Sequence, residues 1–292
     1  MKKFLGLLTR CRDEAFIEEF CRYYLSQEVD DIYIIDDDSE DKSIYNFSKN
    51  IKNINVIYAD RFLNVPTLLQ NGIKDLNLRD KKNFACPQKI YEKIKNDYQW
   101  LIYCDVDEFM ATKKNENLTI KQELLKIPNH ITCIRVPWVL MSGKDLIKNP
   151  QSLLKEILYR HDQDLRHYHH VNKLSCMYEA CLTKAIFKPN IYKLLFDHGP
   201  LAEISSNISR SVSGISLDKQ GLYGTNHIRD VRNKHLESAF FLCYHYRYIS
   251  EEYALHKIKT NGFYKNDGII LKDLKDSSYP ELYDDTMLRK IK

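Results

Sequence analysis

One stretch constrains this chain more than any other: Trp100-Leu101-Ile102-Tyr103-Cys104-Asp105-Val106-Asp107-Glu108-Phe109. Trp100 to Tyr103 are large, apolar or aromatic and uninterrupted, the pattern of a short strand buried on both faces within a parallel sheet. Three carboxylates follow at once, and a buried strand cannot keep Asp105, Asp107 and Glu108 in apolar surroundings. They are expected where the strand ends, in the crevice at the carboxyl edge where open α/β sheets bind ligands. Asp105 and Asp107 are two apart, so the strand period predicts that they project to one side. Two hard oxygen ligands placed so suit Mg²⁺ or Mn²⁺, above all when phosphate oxygens complete the shell. The plain alternative is a strand that runs into a solvated acidic turn.

The segments around this stretch alternate. Phe4 to Leu8 reads as a strand, and Asp13-Glu14 open a helix through Leu25 with Phe16, Ile17, Phe20, Tyr23 and Tyr24 at helical spacing. Val29 to Ile35 is a second buried strand, and it too empties into carboxylates, Asp36-Asp37-Asp38-Ser39-Glu40-Asp41. Ser43 is expected to cap a helix from Ile44 to about Lys49. Ile54 to Tyr58 is a third strand, Val65 to Leu69 and Phe84 to Lys95 are helical, and the last of these delivers the chain to Trp100. This β-α-β-α-β-α-β order specifies a doubly wound parallel sheet whose loops share one edge, so the two acidic loops and the Thr9-Arg10 loop converge.

Beyond Phe109 the pattern loosens. A helix is expected over Leu118 to Ile127 and a strand over Thr132 to Leu140, with a turn at Ser142-Gly143-Lys144-Asp145. Asn149 to Cys176 is polar and carries His161, His167, His169 and His170, a histidine content that suggests metal or acceptor contacts. Cys181 to Pro189 and Ile191 to Phe196 are strand-like, Ala202 to Gly224 is loop-like, and Ala239 to Tyr248 is an aromatic strand holding His245. Ser250-Glu251-Glu252 opens a further helix. The reading is a single α/β domain over 1–257, with a nucleotide-binding half at 1–110, an acceptor half at 111–257, and a helical tail at 258–292 packed on it.

Bulk properties exclude several classes. Among 292 residues, 44 Lys and Arg stand against 40 Asp and Glu, interspersed, with no basic stripe and no zinc-finger or RNP pattern, so no nucleic-acid partner is expected. The eight cysteines form no C-x-x-C pair, which in an α/β chain reads as reduced, buried thiols. The apolar run after Met1-Lys2-Lys3 is too short for a leader, and no stretch approaches the roughly 20 apolar residues of a membrane span. A cytoplasmic location is expected, with peripheral attachment to an internal membrane surface left open.

The residues resemble a known family. Thr9-Arg10-Cys11-Arg12-Asp13-Glu14, Asp36 to Asp41, Gln88 with Tyr91, Trp100 to Phe109, Trp138 with Ser142-Gly143, Lys184 to Pro189, His198, and His245-Tyr246-Arg247 followed by Ser250-Glu251-Glu252-Tyr253 occur in the order and approximate spacing of glycosyltransferase family 92. The likeness extends to family-2-like transferases of GT-A fold and spans roughly Phe4 to Lys257. Two positions depart from the pattern: Arg12-Asp13-Glu14 stands where such enzymes carry Lys-Asn-Glu, and Leu140-Met141 precedes Ser142-Gly143 where Phe-Gly is usual.

The resemblance implies a GT-A-like, Rossmann-like fold with a mostly parallel central sheet flanked by helices. It also implies an enzyme that transfers a hexose from a nucleoside-diphosphate sugar, a UDP-sugar first, to a glycan, glycolipid or glycoprotein hydroxyl, with inversion. Mn²⁺ or Mg²⁺ would be held by Asp107 and by Asp105, with His245, or its rival His198, returning to the ion. Thr9, Arg10, Asp37, Asp38 and Asp105 would line the nucleotide, and Lys184 and Arg247 would meet the diphosphate. The acceptor side would take Trp138, Gly143 and Tyr246. A carboxylate must deprotonate the acceptor; Asp145 is the first candidate, and Glu179 and Asp197 are the others. Two rival readings are a sugar nucleotidyltransferase, against which stands the lack of glycine from Leu7 to Glu14, and a non-catalytic carbohydrate- or nucleotide-binding protein of the same fold.

Overall fold

The computed structural model describes residues 2–59, 78–165, 167, 180–196, 198–203, 209–211, 213, 222–223, 227–229 and 231–291. The helix expected over Val65 to Leu69 lies outside them, as does most of the expected loop from Ala202 to Gly224. The architecture is mixed α/β. The chain divides into two compact units: the first comprises Met1–Val106, Leu118–Val136 and Lys184–Ser213, and the second Asp107–Asn117, Pro137–Thr183 and Gly214–Lys292.

The first unit is Rossmann-like. Strand β1 (Lys3–Cys11), helix α1 (Ile17–Ser26), strands β2 (Asp31–Asp36) and β3 (Ile54–Tyr58), helix α2 (Leu78–Ile94) and strand β4 (Tyr98–Tyr103) follow in turn. Ile17, Phe20, Cys21 and Tyr24 form the buried face of α1 at helical spacing. That helix starts at Ile17 and not at Asp13, because Asp13 takes a left-handed backbone (φ 51°). The segment Lys42–Asn50 is a 3-10 helix, and its cap is Asp41, which accepts from the Ser43 backbone N–H, so Ser43 is the donor rather than the cap.

All pairings from β3 to β2, β2 to β1 and β1 to β4 are parallel, which gives the order β3-β2-β1-β4. The chain steps outward from β1 through β2 to β3, then crosses to the other flank of β1. The strand order therefore reverses between β1 and β4, and the carboxyl ends of these two strands border the switch point. Leu8, Ile35, Tyr91, Leu101 and Tyr103 are buried together beneath it. Full burial of one such leucine contributes about 2 kcal/mol.

Helix α3 (Ile120–Leu124), opened by a capping box at Thr119 and Gln122, is shorter than the expected Leu118 to Ile127. Strands β5 (Glu108–Thr112), β6 (Ile131–Ser142), β7 (Tyr159–Arg160) and β8 (Ala180–Phe187) follow, and in the first unit β8 runs antiparallel to β4, with Ala185 opposite Tyr103. Strands β9 (Tyr192–Phe196) and β10 (Gly199–Glu203) form an antiparallel pair, and β11 (Ser209–Ser211) lies parallel to β6.

In the second unit the short strands β12 (Leu222–Tyr223) and β13 (His227–Arg229) pair, and β13 runs antiparallel to the start of β8. Strand β14 (Phe241–Tyr248) is buried throughout; it pairs antiparallel with β5 and parallel with the end of β6. Helix α4 (Glu251–Thr260) begins where the Ser250 hydroxyl accepts from the Tyr253 N–H at 3.0 Å, as the sequence predicts. Beyond α4 the chain forms a short helix (Gly262–Asn266), helix α5 (Leu271–Asp276), strand β15 (Leu282–Tyr283) and helix α6 (Thr286–Lys290), and β15 pairs with β7. Among the described residues, Cys11, Cys21 and Cys181 are buried free thiols. No described helix is long and apolar enough to cross a membrane.

Candidate functional site

The first unit gathers polar groups at the carboxyl ends of β1, β2 and β4. The loops after β1 and β2 are tied together: the Asp13 N–H donates to the Ser39 hydroxyl at 3.0 Å, and Asp13 Oδ1 accepts from the Glu40 N–H at 2.6 Å. Of the three loops expected to converge, those after β1 and β2 meet here. Thr9 and Arg10 are not in that loop, however. They are strand residues opposite Ile34 and Ile35, and Thr9 is fully buried, because β1 continues to Cys11.

Asp36 is the best-anchored carboxylate after β2. It is buried and accepts from Lys42, from the Tyr45 hydroxyl at 2.7 Å and from the Ser39 N–H at 3.1 Å. Burial pushes its pKa up, but these donors outweigh burial and hold it below the ordinary carboxylate value. The sequence-predicted Asp37 is half-buried, with its N–H on Cys11 O, and Asp38 is exposed with φ 65°. An aspartate tolerates that left-handed backbone better than most residues. Both therefore stand beyond a carboxylate that serves the loop itself.

Asp105 lies two residues past the end of β4. Its side chain is 45% exposed, and Oδ2 accepts from the ammonium of Lys184 at 2.9 Å, whose side chain is 1% exposed. Lys184 lies on β8 next to the Tyr103–Ala185 pair, so the antiparallel register delivers a cation to the end of β4. His198, between β9 and β10, accepts on its carbonyl from Arg135 at 3.0 Å.

The second unit holds Asp107. Its carboxylate is buried, Oδ2 takes the ammonium of Lys257, and His245 Nε2 lies 3.5 Å from the same oxygen. The Asp107 carbonyl accepts from the Tyr246 N–H at 2.8 Å, which fixes the residue against β14. Burial pushes the Asp107 pKa up, yet the charges of Lys257 and His245 outweigh that and hold it well below the usual range. Burial pushes His245 below its ordinary value, with Lys257 and Arg247 adding and Asp107 opposing. A neutral imidazole is a competent metal ligand. Its Nδ1 is buried and has no hydrogen-bond partner among the described residues.

Strand β4 stops at Tyr103, so strand alternation ends before either Asp105 or Asp107. Asp105 pairs within the first unit and Asp107 within the second. Glu108 begins β5 opposite His245 and is fully buried.

The remaining predicted residues fall as follows. Trp138 is buried, its ring 4.3 Å from that of His245. Tyr246 is wholly buried, edge-on to Phe109 at 5.5 Å, so its ring is core and offers no open face to a sugar. Gly143 serves a close approach: a Cβ there would lie 2.0 Å from Ile249 O. Arg247 is buried on β14, and Asp145 is exposed in the turn after β6. Glu179, Asp197, His169 and His170 lie outside the described residues. Sequence reasoning missed Lys257 and Asp36 as organising groups. Lys257 sits seven residues after a recognisable cap, but nothing local marks its bond to a carboxylate 150 positions away.

No family model matches the chain, and no curated protein is similar to it. Among solved structures it is similar to that of S. aureus TarS 1-349, at 15% identity and a TM-score of 0.34, with 65% of this chain and 48% of that chain covered. The chain thus spans about half the length of the TarS chain it matches. A likeness this low carries no argument about the site, and the resemblance to family 92 rests on the sequence motifs alone.

Proposed function

We propose that the chain is a metal-dependent glycosyltransferase that moves a sugar from a nucleoside-diphosphate sugar, a UDP-sugar first, to a hydroxyl of a glycan, glycolipid or glycoprotein. The observation that carries this reading is the acidic exit of β4 at the switch point of the β3-β2-β1-β4 sheet. Open α/β sheets bind nucleotides there, and the motifs shared with family 92 supply the ligand class. In this reading Thr9 backs the base pocket from within β1, Arg10, Asp37 and Asp38 line base and ribose, and Lys184 and Arg247 meet the diphosphate.

The donors around Asp107 fit part of a divalent-cation shell: a carboxylate oxygen and, 3.5 Å from it, the Nε2 of the His245 imidazole. Asp107 and His245 would hold the ion, with Asp105 as the further ligand and His198 as the rival to His245. When bound, the ion supplies Lewis acidity to the departing diphosphate.

The rest is done by the chain. Trp138, with the turn at Gly143, sets the acceptor side, and Tyr246 supports it from the core. Asp145 takes the proton from the acceptor hydroxyl as that oxygen bonds to the anomeric carbon. The bond from this carbon to the diphosphate oxygen breaks, its electron pair leaves with the diphosphate, and a single displacement inverts the centre. With Mn²⁺ and a panel of UDP-sugars and glycan acceptors, release of UDP is expected. Asp145→Asn is expected to lower kcat by about 10²–10⁴-fold with the donor KM unchanged. No UDP release from any donor would sink the reading.

The pairing of Lys257 with Asp107 supports a second reading, in which this ammonium takes the place of the ion and the reaction needs no metal. Turnover that persists in EDTA and fails in Lys257→Met would select it.

A further inference from the structure

We propose a second metal site, remote in sequence from the acidic motif, formed by His161, His167 and Glu281 and taking a divalent transition ion of the Zn²⁺ class. One ligand atom from each of these residues lies within 4.8 Å of the others. His161 Nδ1 is 3.2 Å from Glu281 Oε2, and His167 Nε2 is 2.6 Å from Glu281 Oε1. Two imidazoles and one carboxylate are a ligand set suited to zinc, leaving one position for water.

The backbone brings these residues together for a definite reason. β7 and β15 pair antiparallel with Arg160 opposite Leu282, so one step further along the register His161 faces Glu281. The Asp162 N–H donates to Glu281 Oε2 at 2.8 Å and fixes the carboxylate. Tyr279 stacks on His167 at 3.8 Å and 11°, which fixes the second ring. Such outer contacts orient ligands before an ion arrives. The adjacent cation, Arg160, is already answered by Asp284 at 3.0 Å and by Asn233 at 3.0 Å, so it does not oppose a bound ion.

An ion here would clasp the tail to β7 and stabilise the second unit by mass action. The inference is independent of the proposed transferase activity, since none of the three residues has a role in it.

The test uses the full chain, stripped with chelator and titrated with Zn²⁺ against a competing chromophoric chelator, with Co²⁺ as an optical probe. One Zn²⁺ that depends on His167 and Glu281 is expected, in addition to any ion held at Asp107 and His245, with a rise in Tm and a Co²⁺ spectrum that lacks a thiolate charge-transfer band. His167 is partly exposed, so His167→Ala should fold; that variant and Glu281→Gln should each bind Zn²⁺ about tenfold or more weakly and lose the Tm rise. No uptake by the wild type, uptake unchanged in both variants, or a thiolate band would each overturn the site.

Discussion

Asp105 and Asp107 share one motif and one residue type, yet their surroundings differ in kind. Asp105 is 45% exposed and faces a lysine that is 1% exposed; Asp107 is 5% exposed and faces both Lys257 and His245. In the first pair the lysine is the desolvated partner, and the carboxylate can turn to water or a ligand. In the second the carboxylate is desolvated and depends on the ammonium of Lys257. Spacing in sequence says which acids are neighbours, whereas burial decides which can exchange partners and which must stay paired.

The sharpest way to break this contrast is to remove each lysine. Lys257→Met strands a buried anion and should cost about 3–5 kcal/mol in urea unfolding; Mn²⁺ should recover part of that loss if Asp107 and His245 take the ion. Glycine contacts extend the contrast to the backbone. Gly143→Ala in the second unit drives a Cβ into the Ile249 carbonyl at 2.0 Å and should cost about 1–3 kcal/mol. Gly6→Ala in the first unit meets only the Tyr98 ring, at 3.0 Å, and should cost less. Lys184→Met should cost less again, about 1 kcal/mol or below, because an apolar chain suits that buried position and Asp105 keeps access to water. Equal losses in the two lysine variants would erase the distinction.

The smallest expected effect is acid sensitivity in the first unit. The folded-state pKa of Asp36 lies below its unfolded value, so the unfolded chain binds the proton more readily. The stability from Asp36 is complete above about pH 4 and is lost as pH falls through the folded pKa. Urea midpoints measured against pH should drop in that window, and Asp36→Asn should flatten the drop. A wild-type midpoint that does not move there would contradict the assignment.

Much of the first unit was legible in the sequence. Strands such as Trp100 to Tyr103 and Ile32 to Ile35 are uninterrupted apolar runs, and each is followed by carboxylates that cannot be buried unpaired, so strand ends and loop edge are marked together. The boundaries were less legible. Thr9 and Arg10 are polar but continue β1, because the ladder to Ile34 and Ile35 overrides their side-chain preference. The sequence marked Asp37 and Asp38, but the structural anchor is Asp36, the last strand residue, which meets Lys42 and Tyr45 from the following 3-10 helix.

In the second unit the buried strand at His245 and the cap at Ser250 could be read locally. The Lys257 bond to Asp107 could not, nor could the partnership of His167 with Glu281 across 114 positions. Both depend on register between distant strands and helices, which no local pattern encodes. Tyr246 shows the converse: an aromatic beside His245 looks available for stacking, but in β14 every side chain is buried.

The measurement to make first is calorimetric titration of the protein with UDP, in Mn²⁺ and then in EDTA, repeated on Asp107→Ala. Binding that requires the ion and is lost in the variant is expected if Asp107 carries the cation of a nucleotide-sugar site. UDP binding of equal strength with and without the ion, and in the variant, would contradict that role. No UDP binding in any condition would overturn the UDP-sugar assignment altogether.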